Sequence, residues 1–293
     1  MNDFELFEPA SVEEAVGLLA GRRGSFVLAG GTDLLVRMKR GELAPENLIS
    51  LRLVPNLSSI REEGGFLRLG ACVTHRAIER SPRVRALFPA LADAEESLGS
   101  IQVRNLGTIG GNLCNAAPSA DTVPPLVAHE AGLRLFGPEG ERRVPLEAFF
   151  AGPCGTTLKP GELLTEIELP VPPPRTSSAY LKLTRRSCME LPLLGAAVRL
   201  SLDPDGTILD GKIALSCAGP VCLRAKKAEA LFPGARVEDD FLEALGRAAL
   251  EEASPRESFR CSAEYRREMI PVLVGRAVRR CRERILQTGG DPA

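Results

Sequence analysis

The sequence predicts an α+β protein: two small α/β units, then a C-terminal half made of a small antiparallel sheet and helices. Three observations carry this prediction. Through the first half, short apolar runs of strand length alternate with helical periodicity, each bounded by Gly or Pro. Near the middle, Val171-Pro-Pro-Pro174 places successive prolines where a stiff extended linker would sit. Beyond it, the turn Asp203-Pro-Asp-Gly206 joins two strand patterns, and three helical patterns follow.

Taken in order, Ser11 is the cap of a first helix. Glu14 completes a capping box, and Val12, Ala15, Val16, Leu18 and Leu19 supply the apolar face. Residues 25–29 (SFVLA) form a strand that stops at Gly30 and Gly31, and residues 33–39 form a helix ended by Gly41. A second unit starts near residue 56, with strands at 57–60, 66–70 and 71–73. A helix capped by Thr74 then runs to Arg80, where Ser81-Pro82 breaks it, and another covers 86–98. Residues 99–125, punctuated by Gly107, Gly110, Gly111, Pro118, Pro124 and Pro125, show little regular pattern. So long a stretch inside a compact domain is expected to be functional. Strands follow at 132–136 and 163–169, then at 193–202 and 212–217; the remaining helices are 224–231, 239–253 and 263–286. The expected domains are residues 1–55, 56–175 and 176–293, with the last boundary in the linker at 170–178.

Composition excludes several functions. Lys plus Arg total 37 and Asp plus Glu 38, so the net charge of -1 gives no global field for nucleic acid or an anionic membrane. No apolar run approaches the roughly 18 residues of a membrane span, and the acidic start MNDFELFEPASVEEA does not read as a secretory signal. With only His75 and His129, a metal site built on several imidazoles is not expected. The 8 cysteines are scattered without a CxxC pair, so neither an iron–sulfur cluster nor zinc is expected in this chain. They read as reduced thiols, most of them buried, in a cytoplasmic protein.

Two segments point to chemistry. Ala29-Gly30-Gly31-Thr32-Asp33-Leu34 follows a strand and opens a helix. Bare glycine backbone lets N–H groups approach an anion there. A tight turn capped by Thr32 or Asp33 fits equally well. The segment is neither GxGxxG nor GxxxxGK[ST], so neither a nicotinamide Rossmann site nor an ATP loop is supported. Arg104-Asn-Leu-Gly-Thr108-Ile-Gly110-Gly111-Asn112 repeats the pattern of paired glycines beside a threonine. Two such turns suggest backbone nests converging on one polyphosphate, against the alternative of two unrelated turns.

The segments AGGTDL, GACVTH, RNLGTIGGNLCNAAPSADTVPPLVA and GELLTEIELP, in that order, resemble the FAD-binding medium subunit of the molybdenum hydroxylases, a family that includes carbon monoxide and xanthine dehydrogenases. AYLKLTRR and RCSAEYRREMIPVLVGRA extend the resemblance into the C-terminal half. It implies a vanillyl-alcohol-oxidase-type (PCMH-type) fold, two α/β subdomains with FAD between them, then an α+β domain of the CO-dehydrogenase flavoprotein type. The loops at 29–36 and 108–112 would grip the pyrophosphate. Leu98 would line the flavin pocket, Asp121 would accept from a cofactor hydroxyl or ring N–H, Leu164 would give an apolar or backbone contact, and Lys182 would lie near the isoalloxazine. A cation there would favour the anionic reduced ring.

The resemblance also implies a division of labour. No catalytic residue and no metal ligand is expected in this chain. Electrons would come from a partner subunit with [2Fe–2S] clusters, substrate would be oxidised on a molybdenum-cofactor large subunit, and FAD would pass electrons to NAD or another acceptor, in a dimer of heterotrimers. The competing readings are a self-sufficient FAD-dependent oxidase or dehydrogenase, which should show its own substrate insertion and base, and a flavin-less assembly subunit, whose glycine pairs should be degraded. Among other residues, His75 reads as a helix-start polar contact, His129 as a surface or helix residue, and Cys114 as an inert small side chain. Arg185 and Arg186 read as either shaping the flavin mouth or solvated, and Tyr265 as packing.

Overall fold

In a computed structural model, which describes residues 3–187 and 189–288, the chain opens with strand β1 (Glu5–Phe7) and helix α1 (Val12–Gly21). Ser11 caps α1 as expected, its hydroxyl accepting from the Glu14 N–H at 3.1 Å. The Glu14 carboxylate closes the box one residue early, on the Ala10 N–H at 2.8 Å. Strand β2 (Ser25–Leu28), helix α2 (Leu34–Lys39) and strand β3 (Asn47–Ser50) follow, with β3 lying between β1 and β2 and parallel to both.

Next come β4 (Ile60–Glu63) and β5 (Phe66–Gly70). The strands expected at 57–60 and 71–73 do not form. Only Ile60 enters a strand, and the Leu57 carbonyl accepts from the Cys72 N–H at 2.7 Å, so both segments close a loop. Helix α3 (His75–Arg80) has its Thr74 cap, with the hydroxyl accepting from Ala77 N–H at 3.2 Å. The single helix expected over 86–98 is two, α4 (Pro82–Leu87) and α5 (Pro89–Ser97). Pro89 has no N–H to continue α4 and forces Phe88 out of helical geometry, to φ -133. Residues 99–125 hold three short helices rather than irregular chain: α6 (Ile101–Leu106), α7 (Ile109–Asn115) and α8 (Val123–Ala128). Helices of two turns or fewer leave no periodic signature.

Strands β6 (Gly132–Gly137) and β7 (Gly140–Pro145), the short pair β8 (Phe150–Gly152) and β9 (Gly155–Thr156), and β10 (Leu163–Pro170) complete the first half. Then come β11 (Thr176–Leu183), β12 (Leu194–Leu202), β13 (Ile208–Ser216), β14 (Leu223–Arg224), α9 (Lys226–Glu229), α10 (Asp239–Glu252) and α11 (Ala263–Thr288). The Asp203 turn joins β12 to β13, its carboxylate accepting from the N–H groups of Asp205 at 3.1 Å and Thr207 at 2.8 Å.

The chain divides into two compact units. The first gathers the chain up to Ala77, Ile101–Ala116 and Ala131–Leu169; the second gathers Ile78–Ser100, Ala117–Glu130 and the chain from Pro170 onward. In the first, Ala15, Val16, Ile49, Leu51 and Leu163 share an apolar core. Its five-stranded sheet, in the order β4-β5-β10-β6-β7, carries alternating charges. Arg68 donates to Glu166 at 2.7 Å and Arg134 to Glu168 at 2.7 Å, while Arg142 grips both oxygens of Glu162 at 2.7 Å.

In the second unit the antiparallel sheet β11-β12-β13-β14 has two unlike faces. One buries Leu194, Ala196, Val198, Leu200, Ile213 and Leu215 under α10 and α11, where Val278, Cys281 and Ile285 point inward. The other, against α5 and α8, carries Ser178, Tyr180 and Lys182 at alternate positions of β11.

The Arg142 hydrogen bond, against burial and with help from the Lys159 N–H, holds Glu162 below the usual glutamate pKa. For Glu168, burial pushes upward, but the Arg134 hydrogen bond and the charges of Arg134, Arg68 and Arg143 outweigh it and the net shift is downward. A carboxyl lowered by folding stabilises the fold above the ordinary glutamate value of about 4.3, and that contribution is lost as pH falls through the lowered value. The melting temperature should therefore fall steeply below about pH 4. Glu162→Gln should cost about 1–3 kcal/mol at pH 7 and flatten that acid slope; thermal melts of both proteins from pH 3 to 7 check this, and superimposable slopes would contradict it.

Candidate cofactor site

In the first unit, residues 29–33 make the turn from β2 into α2. Gly31 takes φ +71, where a side chain would strain the backbone. Asp33 stands at the N-cap position but its side chain caps nothing. Helical bonding begins only with Leu35 N–H to the Gly31 carbonyl at 3.0 Å. Among the described residues no protein acceptor meets the N–H groups of Gly30, Gly31, Thr32, Asp33 or Leu34. A run of unmet donors at a helix start, with the helix dipole behind it, suits a phosphate anion.

This turn lies directly on the one between α6 and α7. A Cβ on Gly30 would land on the Leu106 carbonyl oxygen and 2.9 Å from the Gly107 Cα, and one on Gly107 would lie 3.3 Å from Thr32 Oγ1. The two glycine segments singled out from the sequence are therefore neighbours. They do not offer the same thing. Thr108 caps α7, its hydroxyl accepting from Gly111 N–H at 3.1 Å, while Ile109 N–H bonds the Val73 carbonyl, Gly110 N–H that of Ala71 and Asn112 N–H that of Thr108. The expectation of a second open nest is not met. Gly110 is glycine because a Cβ would sit 2.6 Å from that of Ala71, whereas Gly111 is exposed and a Cβ there would meet only Thr108 Oγ1, at 2.9 Å. Leu164 is buried in β10 opposite Leu135 of β6. His75, also buried, starts α3 with its N–H on the Gly107 carbonyl at 3.0 Å.

In the second unit, Asp121, Lys182 and the end of α5 meet. Lys182 Nζ lies 2.8 Å from Asp121 Oδ2 and 3.0 Å from the Ser97 carbonyl, and Leu98 is the buried cap residue that follows. The cation expected beside a flavin ring is thus neutralised by Asp121, and its unpaired field is smaller than the sequence suggests. Tyr180, which the sequence reading missed, donates to Asp121 Oδ1 at 2.8 Å. The signal was present: in Ala179-Tyr-Leu-Lys-Leu183 the polar side chains alternate with apolar ones, which puts Tyr180 and Lys182 on one strand face.

Other expectations change. His129 is not at the surface: it is buried after α8, edge-on to Phe88, with Nε2 2.9 Å from Ser178 Oγ. Burial, then the Arg199 charge, lowers its pKa to about 3, so it stays neutral. Nor are most cysteines buried. Among those described only Cys281 is, while Cys114 and Cys154 are exposed and the rest are half-buried at turns and strand ends. Arg185 and Arg186 are exposed and pair with Glu190, and Tyr265 is 41% exposed. Among the described residues no helix is long and apolar enough to cross a membrane.

Comparison with known proteins identifies the family. Residues 2–172 match the family described as the FAD binding domain in molybdopterin dehydrogenase, and residues 178–281 match the CO dehydrogenase flavoprotein C-terminal domain. The chain is 36% identical over 277 residues to the carbon monoxide dehydrogenase medium chain of Hydrogenophaga pseudoflava, covering 94% of this chain and 96% of that one. It is 31% identical over 281 residues to a putative xanthine dehydrogenase FAD-binding subunit of Escherichia coli K12, covering 95% and 96%. Among solved structures it superposes on a chain of reconstituted CO dehydrogenase from Oligotropha carboxidovorans with a TM-score of 0.93 and 33% identity, covering 97% of this chain and 99% of that one.

The two glycines of the second segment separate packing from binding. Gly111→Leu should lower the melting temperature of the cofactor-free protein less than Gly110→Leu does, yet raise the FAD dissociation constant roughly tenfold or more, about 1.4 kcal/mol. Gly110→Leu should lower the melting temperature itself. Wild-type FAD binding by Gly111→Leu would remove that segment from the site.

Proposed function

This chain belongs to the family of FAD-binding subunits of the molybdenum hydroxylases, and from that premise we propose that it is the electron-transfer flavoprotein of a multi-subunit enzyme. One observation supports the reading above others: the run of unmet N–H donors from Gly30 to Leu34, at a turn that only a bare glycine backbone lets close. These residues, with Ala29, hold the FAD pyrophosphate by N–H bonds that stabilise its charge without a cationic side chain. Thr108, Gly111 and Asn112 form the adjoining wall. The resemblance adds Leu164 as an apolar contact in the first unit and, in the second, Leu98 as an apolar contact and Asp121 and Lys182 as a paired acceptor and donor. Bound FAD supplies a ring that takes up electrons and gives them away.

Nothing in this reading asks the chain for acid–base chemistry. Its residues bind, orient and exclude water, which is the usual share of a protein around a redox cofactor. Electrons come from [2Fe–2S] clusters of a small partner subunit and leave to NAD or another acceptor, while a molybdenum-cofactor large subunit oxidises the substrate. The three chains assemble as a dimer of heterotrimers in the cytoplasm. Relatives named as a medium chain or as a FAD-binding subunit support a chain that works beside others.

Titrating the purified chain with FAD, followed by flavin absorbance and fluorescence quenching, should give one equivalent bound. Riboflavin, which lacks the pyrophosphate, should bind at least about a hundredfold more weakly, a loss of about 2.8 kcal/mol. A chain that rejects FAD, or takes riboflavin equally well, would overturn the proposal.

A further inference from the structure

The face of the second unit's sheet that meets α5 and α8 is unusual for a buried surface. Tyr180 is 3% exposed, and Lys182 and Asp121 side chains are 9% and 5% exposed. Ser216 Oγ is also buried there, beside the Tyr180 hydroxyl. An apolar face of the same shape would be at least as stable, because taking polar and charged groups out of water cancels most of what their pairing returns. The arrangement also requires a glycine inside a central strand, a position where glycine weakens a sheet. Gly195 lies opposite Lys182 on one side and Ser216 on the other, and a Cβ there would sit 2.5 Å from both Tyr180 Oη and Ser216 Oγ. The strand gives up a side chain so that the Tyr180 ring can cross it and reach Asp121.

What this yields is a carboxylate held from two sides. Tyr180 Oη donates to Oδ1 at 2.8 Å and Lys182 Nζ to Oδ2 at 2.8 Å, while Lys182 is itself anchored on the Ser97 carbonyl. Lys182 alone would neutralise Asp121. It would not fix the carboxylate plane, because a single flexible ammonium leaves the other oxygen free to turn. Burial first, and then the Asp121 charge, push the Tyr180 phenol well above its ordinary pKa, so it remains a donor at any pH the protein meets.

We infer that Tyr180 is a positioning residue for the cofactor, holding the Asp121 carboxylate in the one orientation in which it accepts from FAD, with Gly195 as the seat that makes this reach possible. The inference rests on the reading of Asp121 as a FAD contact. Tyr180 need not touch FAD.

The test uses the whole chain with FAD as probe. Tyr180→Phe and Asp121→Asn are compared with wild type for melting temperature without cofactor, FAD dissociation constant and visible spectrum of the bound flavin. Tyr180→Phe should weaken FAD about tenfold, because a carboxylate free to turn makes a poorer hydrogen bond to it, and should displace the flavin bands in the same direction as Asp121→Asn. A merely structural role would move the melt and not the spectrum. If Asp121→Asn changes affinity and spectrum while Tyr180→Phe leaves both at wild type, the inference fails and the cofactor reading stands. If Asp121→Asn also changes neither, both fail.

A second measurement needs no variant of Tyr180 to fold. The chain has Tyr 2, at positions 180 and 265, so 3-fluorotyrosine labelling gives two fluorine resonances, assigned with Tyr265→Phe. Binding of FAD should shift the Tyr180 resonance, and Asp121→Asn should abolish that shift; a Tyr180 signal that ignores bound FAD would overturn the inference.

Discussion

The close approach of bare backbone at Gly30 to the carbonyl of Leu106 fixes more of the site than any other contact. It seats the turn that leaves β2 on the turn between α6 and α7, so that two segments far apart in sequence become one wall. A side chain at position 30 would force them apart. The contact also explains why the first turn has donors to spare. Held off its own helix ladder and lying against a neighbour that offers it no acceptor, residues 30–34 present N–H groups that a folded protein rarely leaves unmet. An anion of suitable size removes that cost, and a pyrophosphate is such an anion.

The paired glycines looked alike in the sequence and act differently in the structure. Gly31 is glycine for its backbone angle, Gly30 and Gly110 for the backbone and side chain that press on them, and Gly111 leaves an exposed surface bare. Only tertiary contacts separate these reasons, which is why a motif can locate a site without assigning roles inside it. The same holds for Lys182. Its place in the motif was legible, but its pairing with Asp121 and Ser97 depends on α5 and α8 lying over β11, and no local pattern encodes that.

Elements were legible where their signal is local and long. The Ser11 cap, the Asp203 turn, the strands around it and the last helix, expected at 263–286, all appear close to where periodicity and caps put them. Among the elements that were lost, three cases show why. Helices α6, α7 and α8 are too short for a period to show; α4 and α5 merged until the chain had to obey Pro89; and β11 was read only as a family segment although Ala179-Tyr-Leu-Lys-Leu183 alternates apolar with polar. That last miss is informative. Alternation assigns the polar face of such a strand to solvent, whereas here that face is buried and forms the network that holds Asp121.

The central claim is that the N–H groups of residues 30–34 receive the pyrophosphate of FAD. Amide proton and nitrogen shifts of the isotopically labelled chain test it most directly, with FAD and riboflavin added in separate titrations. Downfield amide-proton shifts are expected at Gly30, Gly31, Thr32, Asp33 and Leu34 with FAD and none there with riboflavin. FAD that binds without moving those amides would contradict it.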